Sequence, residues 1–448
     1  MSRVVLSFTV RIFRQFEGNA KVMPQQLSRA CDKPGNSGAG EARDERHPSI
    51  PPSRRDFFKA AAAFATWAVY RPSVLIAQPH GESPGKFDVV AIDRTRVLSA
   101  ADRYLKEPPV TITASTSPRS PGGRHDYFSE ADYFWPDPNN PHGPYIQRDG
   151  LSNPGNFLDH RRFLLRFSVQ APALAAAWRI TNRRAYAEHA AAHLRAWFID
   201  KPTRMNPNLQ YAQAIRGSAT GARFGVIDTI HLVEVVRAAQ TIAPSRVLAD
   251  DEMSDVKAWF ADYLQWMTTS SYGIEEMESP NNHATCWVLQ AASFAKFTGD
   301  NSLADYARRF YQSVLVPNQM KSDGSFPLEM ARTKPYGYSL FNLDAMSAIC
   351  QILSDAQQDL WSFHLKDGRG IARAVAFMEP YIRDKKRWPL PPDVMYANDW
   401  PMRQCSLLFA GIALNRPDYL QLWKTLPADS DVEEVIRNFF IRQPVLWV

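Results

Sequence analysis

The sequence predicts an all-α protein whose helical hairpins close into a toroid, in a single domain from about residue 85 to residue 448. Apolar residues recur at helical spacing through most of this range, and the alternation typical of strands is rare. Short turns join many of the helical segments, which favours antiparallel hairpins. Because neither a heptad nor a regular longer period repeats along the chain, the pattern disfavours a coiled coil and a regular repeat array.

Helical periodicity predicts the elements of this toroid one by one. The predicted helices cover 158–180, 183–199, 226–241, 251–269, 284–298, 302–315, 341–354, 370–383, 403–414 and 431–440. After Gly85 the chain is polar and Pro-rich, and residues 125–157, at the end of this stretch, are too rich in Pro, Gly and Asn for regular structure.

Long polar and aromatic loops separate several of these helices. They cover 132–150, 205–229, 279–283, 322–346 and 386–404. Long ordered loops often carry function, and these contain Trp, Tyr, Arg, Asn and His side chains. Such side chains suit a sugar-binding groove, because aromatic rings stack on sugar rings while Arg and Asn bind carboxylates and hydroxyls.

The formal net charge of +6 is carried by the N-terminal part of the chain. Residues 1–77 contain 12 Lys and Arg against 6 Asp and Glu, which leaves 40 residues of each sign in the remainder. The basic character therefore does not belong to the predicted domain. A nucleic-acid-binding function loses its main support.

Residues 51–77 (PPSRRDFFKAAAAFATWAVYRPSVLIA) resemble a twin-arginine export signal, because Arg54 and Arg55 precede two phenylalanines, a lysine and an apolar stretch. That stretch is too short to span a membrane. We therefore expect recognition by the twin-arginine translocase, cleavage near Ala77, and a periplasmic or secreted protein without a membrane anchor. Residues 1–50 are expected to be disordered, or to reflect a translation start assigned too far upstream. The alternative for 51–77 is an amphipathic surface helix.

We expect no cofactor and no metal. The four cysteines show no C-x-x-C spacing, and Cys286, Cys350 and Cys405 are expected to be buried thiols. The sequence contains no Gly-rich phosphate loop and no H-E-x-x-H motif. His125 and His142, with the aspartates near them, do not have the spacing of a metal site.

The long loops contain motifs that resemble the alginate lyase-like superfamily of polysaccharide lyases. In chain order they are DYFWPDPNNPHGPYIQRDG (132–150), MNPNLQYAQAI (205–215), NNHATCW (281–287) and DGSFPLEMARTKPYGYSLFNLDAM (323–346). The resemblance covers roughly residues 125–415 and is closest to the family 38 lyases of glucuronan and alginate. It implies an (α/α) incomplete toroid of six or seven helical hairpins. It also implies β-elimination at a uronic acid residue of an anionic polysaccharide, without a required cofactor.

The same resemblance assigns four catalytic residues. The Asn-His pair of the lyases falls on Asn282 and His283, and the arginine after the Leu-Glu dipeptide falls on Arg332. The catalytic tyrosine falls on Tyr338, with Tyr336 as the alternative. The choice is open because the spacing from Arg332 to Tyr338 is one residue shorter than in the best-known alginate lyases.

Elimination requires removal of the weakly acidic C5 proton, so the charge of the C6 carboxylate must be neutralised. We expect Asn282 and Arg332 to bind this carboxylate while Asn281 caps the helix that follows. We expect His283 to act as the base and Tyr338 to donate a proton to the leaving O4 atom. Tyr338 could also act as a base if the nearby arginine lowers its pKa. The alternatives are a simple helix cap for the Asn-Asn-His stretch and a packing role for the tyrosine.

Further residues are expected to contact the sugar chain. The candidates for stacking are Trp135, Tyr145, Tyr211, Trp388 and Trp400, and those for polar contacts are Arg148, Gln213, Arg216, His231, Tyr336 and Arg403. Core packing is the alternative for each aromatic ring, and a surface ion pair with Glu329 is the alternative for Arg332. Asp228 and Asp344 are expected to tie loops to helix ends.

Two other functions are compatible with the sequence. One is a glycoside hydrolase on the same toroid, for which Glu329 and Asp344 are the available carboxyl pair. The other is a non-catalytic carbohydrate-binding protein. The sequence does not distinguish mannuronate, guluronate and glucuronate polymers, nor endo from exo cleavage.

Overall fold

Helices make up most of residues 87–448, which is the part of the chain that the computed structural model describes. These residues all belong to one compact unit. The predicted export signal and the extension before it, residues 51–77 and 1–50, lie outside the described residues. The predictions for them remain predictions, as does the boundary at residue 85.

Residues 87–448 contain fifteen α-helices and four short strands, numbered in chain order. The helices are α1 (Val89–Tyr104), α2 (Asp159–Thr181), α3 (Arg184–Leu194), α4 (Leu232–Ile242), α5 (Asp250–Thr269), α6 (Ser271–Met277), α7 (Asn282–Thr298), α8 (Asn301–Phe310), α9 (Val316–Gln319), α10 (Pro327–Met330), α11 (Pro335–Leu353), α12 (Ile371–Arg383), α13 (Cys405–Ala413), α14 (Pro417–Thr425) and α15 (Glu433–Asn438). The strands are β1 (Phe128–Glu130), β2 (Phe134–Trp135), β3 (Ile146–Gln147) and β4 (Tyr211–Ala214). Among the described residues, an observed helix corresponds to every predicted one.

The helices form two layers that alternate along the chain. In the inner layer α2 packs on α4, α4 on α7, α7 on α11, and α11 on α13. The outer helices α1, α3, α5, α8, α12 and α14 each pack on inner helices that adjoin them in sequence. This alternation of inner and outer helices is the (α/α) toroid, and the predicted all-α class is confirmed.

Burial explains which helix takes which layer. The inner helices α7 and α11 are buried on every face, and most of their buried side chains are apolar. The outer helix α1 buries only Val89, Asp93, Val97 and Ala101, one residue in every four. Because this narrow stripe contains an aspartate, helical periodicity did not reveal α1. Helix α1 is therefore an addition to the predicted helices.

Short strands also occur in loops that were predicted to be irregular. β1 pairs in parallel with β4, and β2 pairs antiparallel with β3. The second pair forms a hairpin within the 132–150 segment. The first pair joins that segment to the 205–229 loop, and within β4 Gln213 adopts a left-handed backbone with φ of 51°.

The start of α11 lies six residues before the predicted one, because a distant carboxylate caps it. Pro335 occupies the first turn, where its missing N–H costs nothing. Asp393 accepts hydrogen bonds from the N–H groups of Tyr336 (2.9 Å) and Gly337 (2.8 Å). A Cβ at Gly337 would lie 2.8 Å from Asp393 Oδ2, so a glycine is needed for this close approach. Tyr338 is thereby placed in the first turns of an inner helix.

Candidate active site

The first turn of α7 is capped by Glu329 and not by Asn281. Asn281 stands at the cap position, but its side chain makes no capping hydrogen bond. The Asn282 backbone N–H donates to Glu329 Oε1 (2.8 Å) and its Nδ2 donates to Glu329 Oε2 (2.6 Å). The expectation that Asn281 supplies the cap is therefore wrong, because a carboxylate is the stronger partner for a helix N-terminus. Asn282 itself is 3% exposed.

Glu329 joins two of the assigned catalytic residues. It lies on α10, and Arg332 Nη1 approaches its Oε2 atom at 4.0 Å. Burial raises the pKa of Glu329, and the two hydrogen bonds from Asn282 oppose that rise without cancelling it. The buried carboxyl of Glu329 thus lies between Asn282 and Arg332.

His283 is held by a second buried carboxylate. Its Nδ1 atom lies 2.6 Å from Glu276 Oε1, on the short helix α6. The histidine side chain is 21% exposed, whereas that of Glu276 is 0% exposed. Arg223 approaches the other oxygen of Glu276 at 3.7 Å and also donates to Ser279 Oγ. The ring of His283 is therefore anchored on its Nδ1 side and open to solvent elsewhere.

Arg332 is paired with a residue of the 132–150 segment. Its Nε and Nη2 atoms donate to Asp149 at 3.0 and 2.6 Å, in a bidentate arrangement. Its guanidinium also lies 4.1 Å from the centre of the Tyr338 ring. Burial would lower the pKa of Arg332, but the hydrogen bond to Asp149 and neighbouring negative charge raise it overall, so the group stays charged. Its main partner is Asp149, so the surface pair with Glu329 is at most secondary.

Tyr338 points its hydroxyl at a second tyrosine. The hydroxyl donates to Tyr133 Oη at 3.0 Å. Burial raises the pKa of Tyr338 well above its usual value, Tyr133 adds to the rise, and Arg332 only partly opposes it. Arg332 thus lowers this pKa as expected, but burial outweighs its effect, and the net shift is upward. A tyrosine in this environment keeps its proton at neutral pH and suits the role of acid.

Tyr336 lies on the opposite side of the helix, in the core. Its side chain is fully buried, and its hydroxyl donates to the carbonyl of Tyr381 at 3.1 Å. Its ring packs edge to face against Trp388, and the Lys385 ammonium lies 4.6 Å from its centre. This burial contradicts the prediction of a substrate contact for Tyr336. The stacking role for Trp388 is disfavoured as well, because its ring is part of the same packed cluster.

Part of the predicted sugar-binding set lies near the four residues that the resemblance assigned as catalytic. The backbone N–H of Arg148 donates to the carbonyl of Tyr133 at 2.6 Å, and the Arg148 guanidinium lies 5.6 Å from the centre of the Trp135 ring. Trp135, Tyr145 and Tyr211 are all partly exposed. Because Tyr133 and Asp149 both contact the catalytic residues, the 132–150 segment borders the site.

The remaining predicted contacts are occupied by structural partners. Gln213 is buried and donates to Asp228 at 2.8 Å. Arg216 donates to Glu130 at 2.7 and 3.0 Å and to the Tyr145 hydroxyl at 2.8 Å. Burial alone would raise the pKa of Glu130, yet its arginine partners lower it to about 2. These residues fix β1, β4 and the loops around them.

Three further predictions of substrate contact are contradicted by burial or pairing. His231 is buried beside Arg442, and burial together with that positive charge lowers its pKa well below the usual value. Trp400 is 8% exposed and belongs to the hydrophobic core. Arg403 donates to Asp93 at 2.7 Å on α1, and its guanidinium stacks on a tryptophan of α14.

Four residues at the site were not predicted as functional, namely Tyr133, Asp149, Glu276 and Glu329. Glu329 lies inside the motif that assigned Arg332, and it was considered only as an ion-pair or hydrolase carboxylate. Tyr133 and Asp149 lie inside a quoted motif, where the polar character of a Pro- and Gly-rich loop was the available signal. Glu276 lies on a helix that periodicity did not reveal, so nothing local indicated it.

Other site types find no support within residues 87–448. No group of three or more His, Cys, Asp and Glu side chains is placed to hold a metal ion there. None of the described helices has the length and apolar character that crossing a membrane requires. Cys286, Cys350 and Cys405 are buried free thiols, as predicted.

Comparisons with known proteins agree with the motifs. The alginate lyase family matches residues 111–388. An alginate lyase from Bacteroides ovatus is 30% identical with a TM-score of 0.70, over 80% of this chain and 93% of that chain. A histidine-to-alanine variant of alginate lyase A1-III, complexed with a tetrasaccharide, is 17% identical with a TM-score of 0.49, over 81% of this chain and 94% of that chain. A search of the curated proteins found no match.

The family match spans more than half of the chain, and the Bacteroides ovatus structure shares both sequence and fold with it. The resemblance first suggested by the loop motifs is therefore confirmed. On these grounds the chain belongs to the alginate lyase family and is a polysaccharide lyase.

Proposed function

We propose that this protein cleaves alginate by β-elimination, with His283 as the base and Tyr338 as the acid. The observation that carries the proposal is the linked arrangement of the four assigned residues. Asn282 and Arg332 both approach Glu329, Arg332 stacks on Tyr338, and His283 follows Asn282 in the chain. The substrate is inferred from the family and from the similar alginate lyase of Bacteroides ovatus.

The carboxylate of the sugar at the cleavage point would be bound by Arg332 and Asn282. Asp149 takes Nε and Nη2 of Arg332, so Nη1 is the nitrogen left for the substrate. One of the two amide hydrogens of Asn282 is engaged by Glu329, and the other is free to donate. These two donors withdraw charge from the carboxylate, so the C5 proton becomes more acidic and the enolate-like transition state is stabilised.

The elimination consumes no water, because the substrate, His283 and Tyr338 supply every proton and electron pair that it needs. His283 takes the proton from C5, and the electron pair of the C5–H bond forms the C4–C5 double bond. The C4–O4 bond breaks, and O4 leaves with the proton of the Tyr338 hydroxyl. The imidazolium and the tyrosinate return to their neutral forms by proton exchange with solvent. The products are one unsaturated uronate end and one ordinary sugar end.

Cleavage assays on defined polymers distinguish alginate from glucuronan as the substrate. The purified protein would be supplied with polymannuronate, polyguluronate and glucuronan, and the ultraviolet absorbance of the unsaturated uronate product would be followed. We expect the absorbance to rise on at least one of the two alginate polymers. A rise on glucuronan alone would replace alginate as the substrate, and no rise on any polymer would remove the proposed function.

The hydrolase alternative is disfavoured by the positions of its two carboxyls. Hydrolysis needs two carboxyl groups that flank the scissile bond. Asp344 is buried and accepts the Ser406 N–H at 3.0 Å, at the start of α13. Glu329 is 1% exposed and engaged by Asn282. The two carboxyls are therefore not placed to flank the scissile bond of a sugar chain.

For localisation, we propose export to the periplasm or beyond through the twin-arginine translocase. The support is the sequence of residues 51–77, in which Arg54 and Arg55 precede two phenylalanines and a lysine. An extracellular location suits an enzyme whose substrate is a large anionic polymer. The mature protein would carry no membrane anchor.

A further inference from the structure

We propose that Glu276 is a positioning residue that fixes the hydrogen of the neutral His283 ring on Nδ1. The Nε2 lone pair is then the atom that accepts the substrate proton. The inference rests on the proposed role of His283 as the base and specifies how the chain prepares that base. Glu276 touches the histidine and not the reacting atoms, so it acts on the reaction through His283.

The contact geometry selects the tautomer. An ionised carboxylate can only accept hydrogen bonds, so the 2.6 Å contact between Nδ1 and Glu276 Oε1 requires a hydrogen on Nδ1. In a neutral imidazole the other nitrogen then carries the lone pair. Nε2 makes no hydrogen bond with any described residue, and the ring is partly exposed. The basic nitrogen is therefore the one that faces away from the protein interior.

Apart from His283, the surroundings of Glu276 offer its carboxyl few partners. Its side chain is fully buried, and its Oε2 atom accepts no hydrogen bond from a described residue. The nearest cation is Arg223, at 3.7 Å, and that guanidinium already donates to Ser279. A buried carboxylate with one unsatisfied oxygen is costly. The cost is offset in the reaction, because the imidazolium formed on His283 becomes the partner of the buried negative charge.

A role as a simple tether between α6 and α7 makes a different prediction. A tether needs a side chain of the right length that can form one hydrogen bond, and glutamine satisfies this requirement. The positioning role needs an acceptor that cannot donate. In Glu276→Gln the amide can turn and donate to Nδ1, which would place the hydrogen on Nε2 and leave the base unable to accept a proton.

The first test measures the tautomer directly, without reference to activity. Nitrogen-15 NMR of the His283 ring, assigned by comparison with His283→Ala, distinguishes a protonated nitrogen from one with a lone pair. Above neutral pH we expect the full-length protein to show the hydrogen on Nδ1. A hydrogen on Nε2 in the unmodified protein would overturn the proposal.

The second test separates turnover from binding on the polymer that the protein cleaves. We expect Glu276→Gln to shift the ring towards the Nε2–H tautomer and to lower kcat by about 10²-fold or more, with KM within about twofold. Glu276→Asp, which keeps the charge but shortens the side chain, should retain the Nδ1–H tautomer and recover part of kcat. Glu234→Gln is the matched control, because it also neutralises a buried carboxylate, which accepts backbone N–H groups of the C-terminal segment.

The outcomes are distinct. An unchanged kcat in Glu276→Gln, with the tautomer unchanged, would reduce Glu276 to a tether. If Glu276→Gln fails to fold by its melting transition, the tautomer of the unmodified protein and kcat of Glu276→Asp still decide. Full activity in His283→Ala would refute the role of His283 as the base, and the NMR result would then report on the ring alone.

Discussion

Tyr338 and Tyr336 lie two positions apart on α11 and have opposite environments. Tyr338 contacts Arg332 and Tyr133 at the site, whereas Tyr336 is buried in the core. The sequence left open which of them is catalytic, because the loop is one residue shorter than in the best-known alginate lyases. The capping of α11 by Asp393 fixes the start of the helix, and the resulting positions of the two side chains favour Tyr338 as the proposed acid.

This difference predicts opposite effects of the same substitution. Tyr338→Phe keeps the ring that stacks on Arg332 and removes only the proton donor, so kcat should fall by about 10²–10⁴-fold while the melting temperature changes little. Tyr336→Phe removes a buried hydrogen bond, so it should cost about 0.5–1.5 kcal/mol of stability and leave kcat near normal. Steady-state kinetics and thermal unfolding of both variants test this. The reverse pattern would mean that the catalytic tyrosine is misassigned.

The pairing of Arg332 with Asp149 predicts how substitutions at these two positions affect kcat/KM. Asp149 is expected to act on catalysis only by holding the guanidinium, through the bidentate contact at 2.6 and 3.0 Å. Arg332→Ala should therefore lower kcat/KM strongly, and Asp149→Ala should lower it less. The double variant should be no slower than Arg332→Ala, since residues that act as a unit are not additive. Losses that simply multiply would show that Asp149 has a separate role.

The residues themselves were predictable where a motif names them. Asn282, His283, Arg332 and Tyr338 follow from local patterns, and the structure brings them together. Their partners do not follow in this way. Asp149 and Arg332 stand 183 residues apart, and no local pattern relates them. Trp400 was assigned to the groove because aromatic rings suit both sugar stacking and core packing, and only the fold distinguishes the two.

Among the elements, three of the five inner helices share one feature that local sequence patterns do not reveal. Their first turns are capped by carboxylates from other parts of the chain: Glu329 caps α7, Asp393 caps α11 and Asp344 caps α13. Sequence-based helix starts depend on a capping residue directly before the helix. The start of α11 was for this reason placed too late, although the existence of each inner helix was predicted.

The buried carboxyl of Asp344, which caps α13, predicts that the stability of the protein depends on pH. Burial raises its pKa from 3.8 to about 6, and its hydrogen bonds from Ser406 only partly oppose the rise. The folded state therefore binds more protons than the unfolded state between these two values, and stability should fall as the pH rises through this interval. Asp344→Asn keeps an acceptor for the Ser406 N–H and removes the titration.

The expected difference is measurable by denaturant unfolding. At about pH 4 the variant and the unmodified protein should be similarly stable. At pH 7 Asp344→Asn should be the more stable of the two by on the order of 1–3 kcal/mol, because it carries no buried charge. A variant that is less stable at pH 7 than the unmodified protein would show that the ionised carboxylate contributes to the fold.

At the scale of the whole molecule, the toroid explains why the site is where it is. Each inner helix is followed by an outer helix that returns the chain, so the inner helices run in the same direction. Their N-terminal ends meet at one end of the toroid, where Asn282 begins α7 and Tyr338 lies in the first turns of α11. The fold class was predictable because apolar segments of helical length recur along the chain and strand-like alternation is rare. The exposed outer helices, such as α1, were harder to predict because few of their residues are buried.

Export predicts a further result for the whole chain. If Arg54 and Arg55 form a twin-arginine signal, replacing both with lysine should leave the precursor inside the cell, because an ammonium does not reproduce the planar fork of arginine. Fractionation and immunoblotting of the full-length protein would measure this. Replacing Arg43 and Arg46 with lysine, upstream of the predicted signal, is the matched control and should not alter export. Normal export of the variant with lysine at both signal positions would mean that the signal is misidentified.

The central claim is that cleavage occurs by elimination at the site formed by Asn282, His283, Arg332 and Tyr338. The most direct measurement is mass spectrometry of the products formed from alginate in heavy-oxygen water, by the unmodified protein and by Tyr338→Phe. Elimination adds no water, so the new ends should contain no heavy oxygen from the cleavage step and one of them should be unsaturated. The variant should form almost no product. Products that gain the mass of one labelled water per cleavage, with saturated ends, would contradict the account.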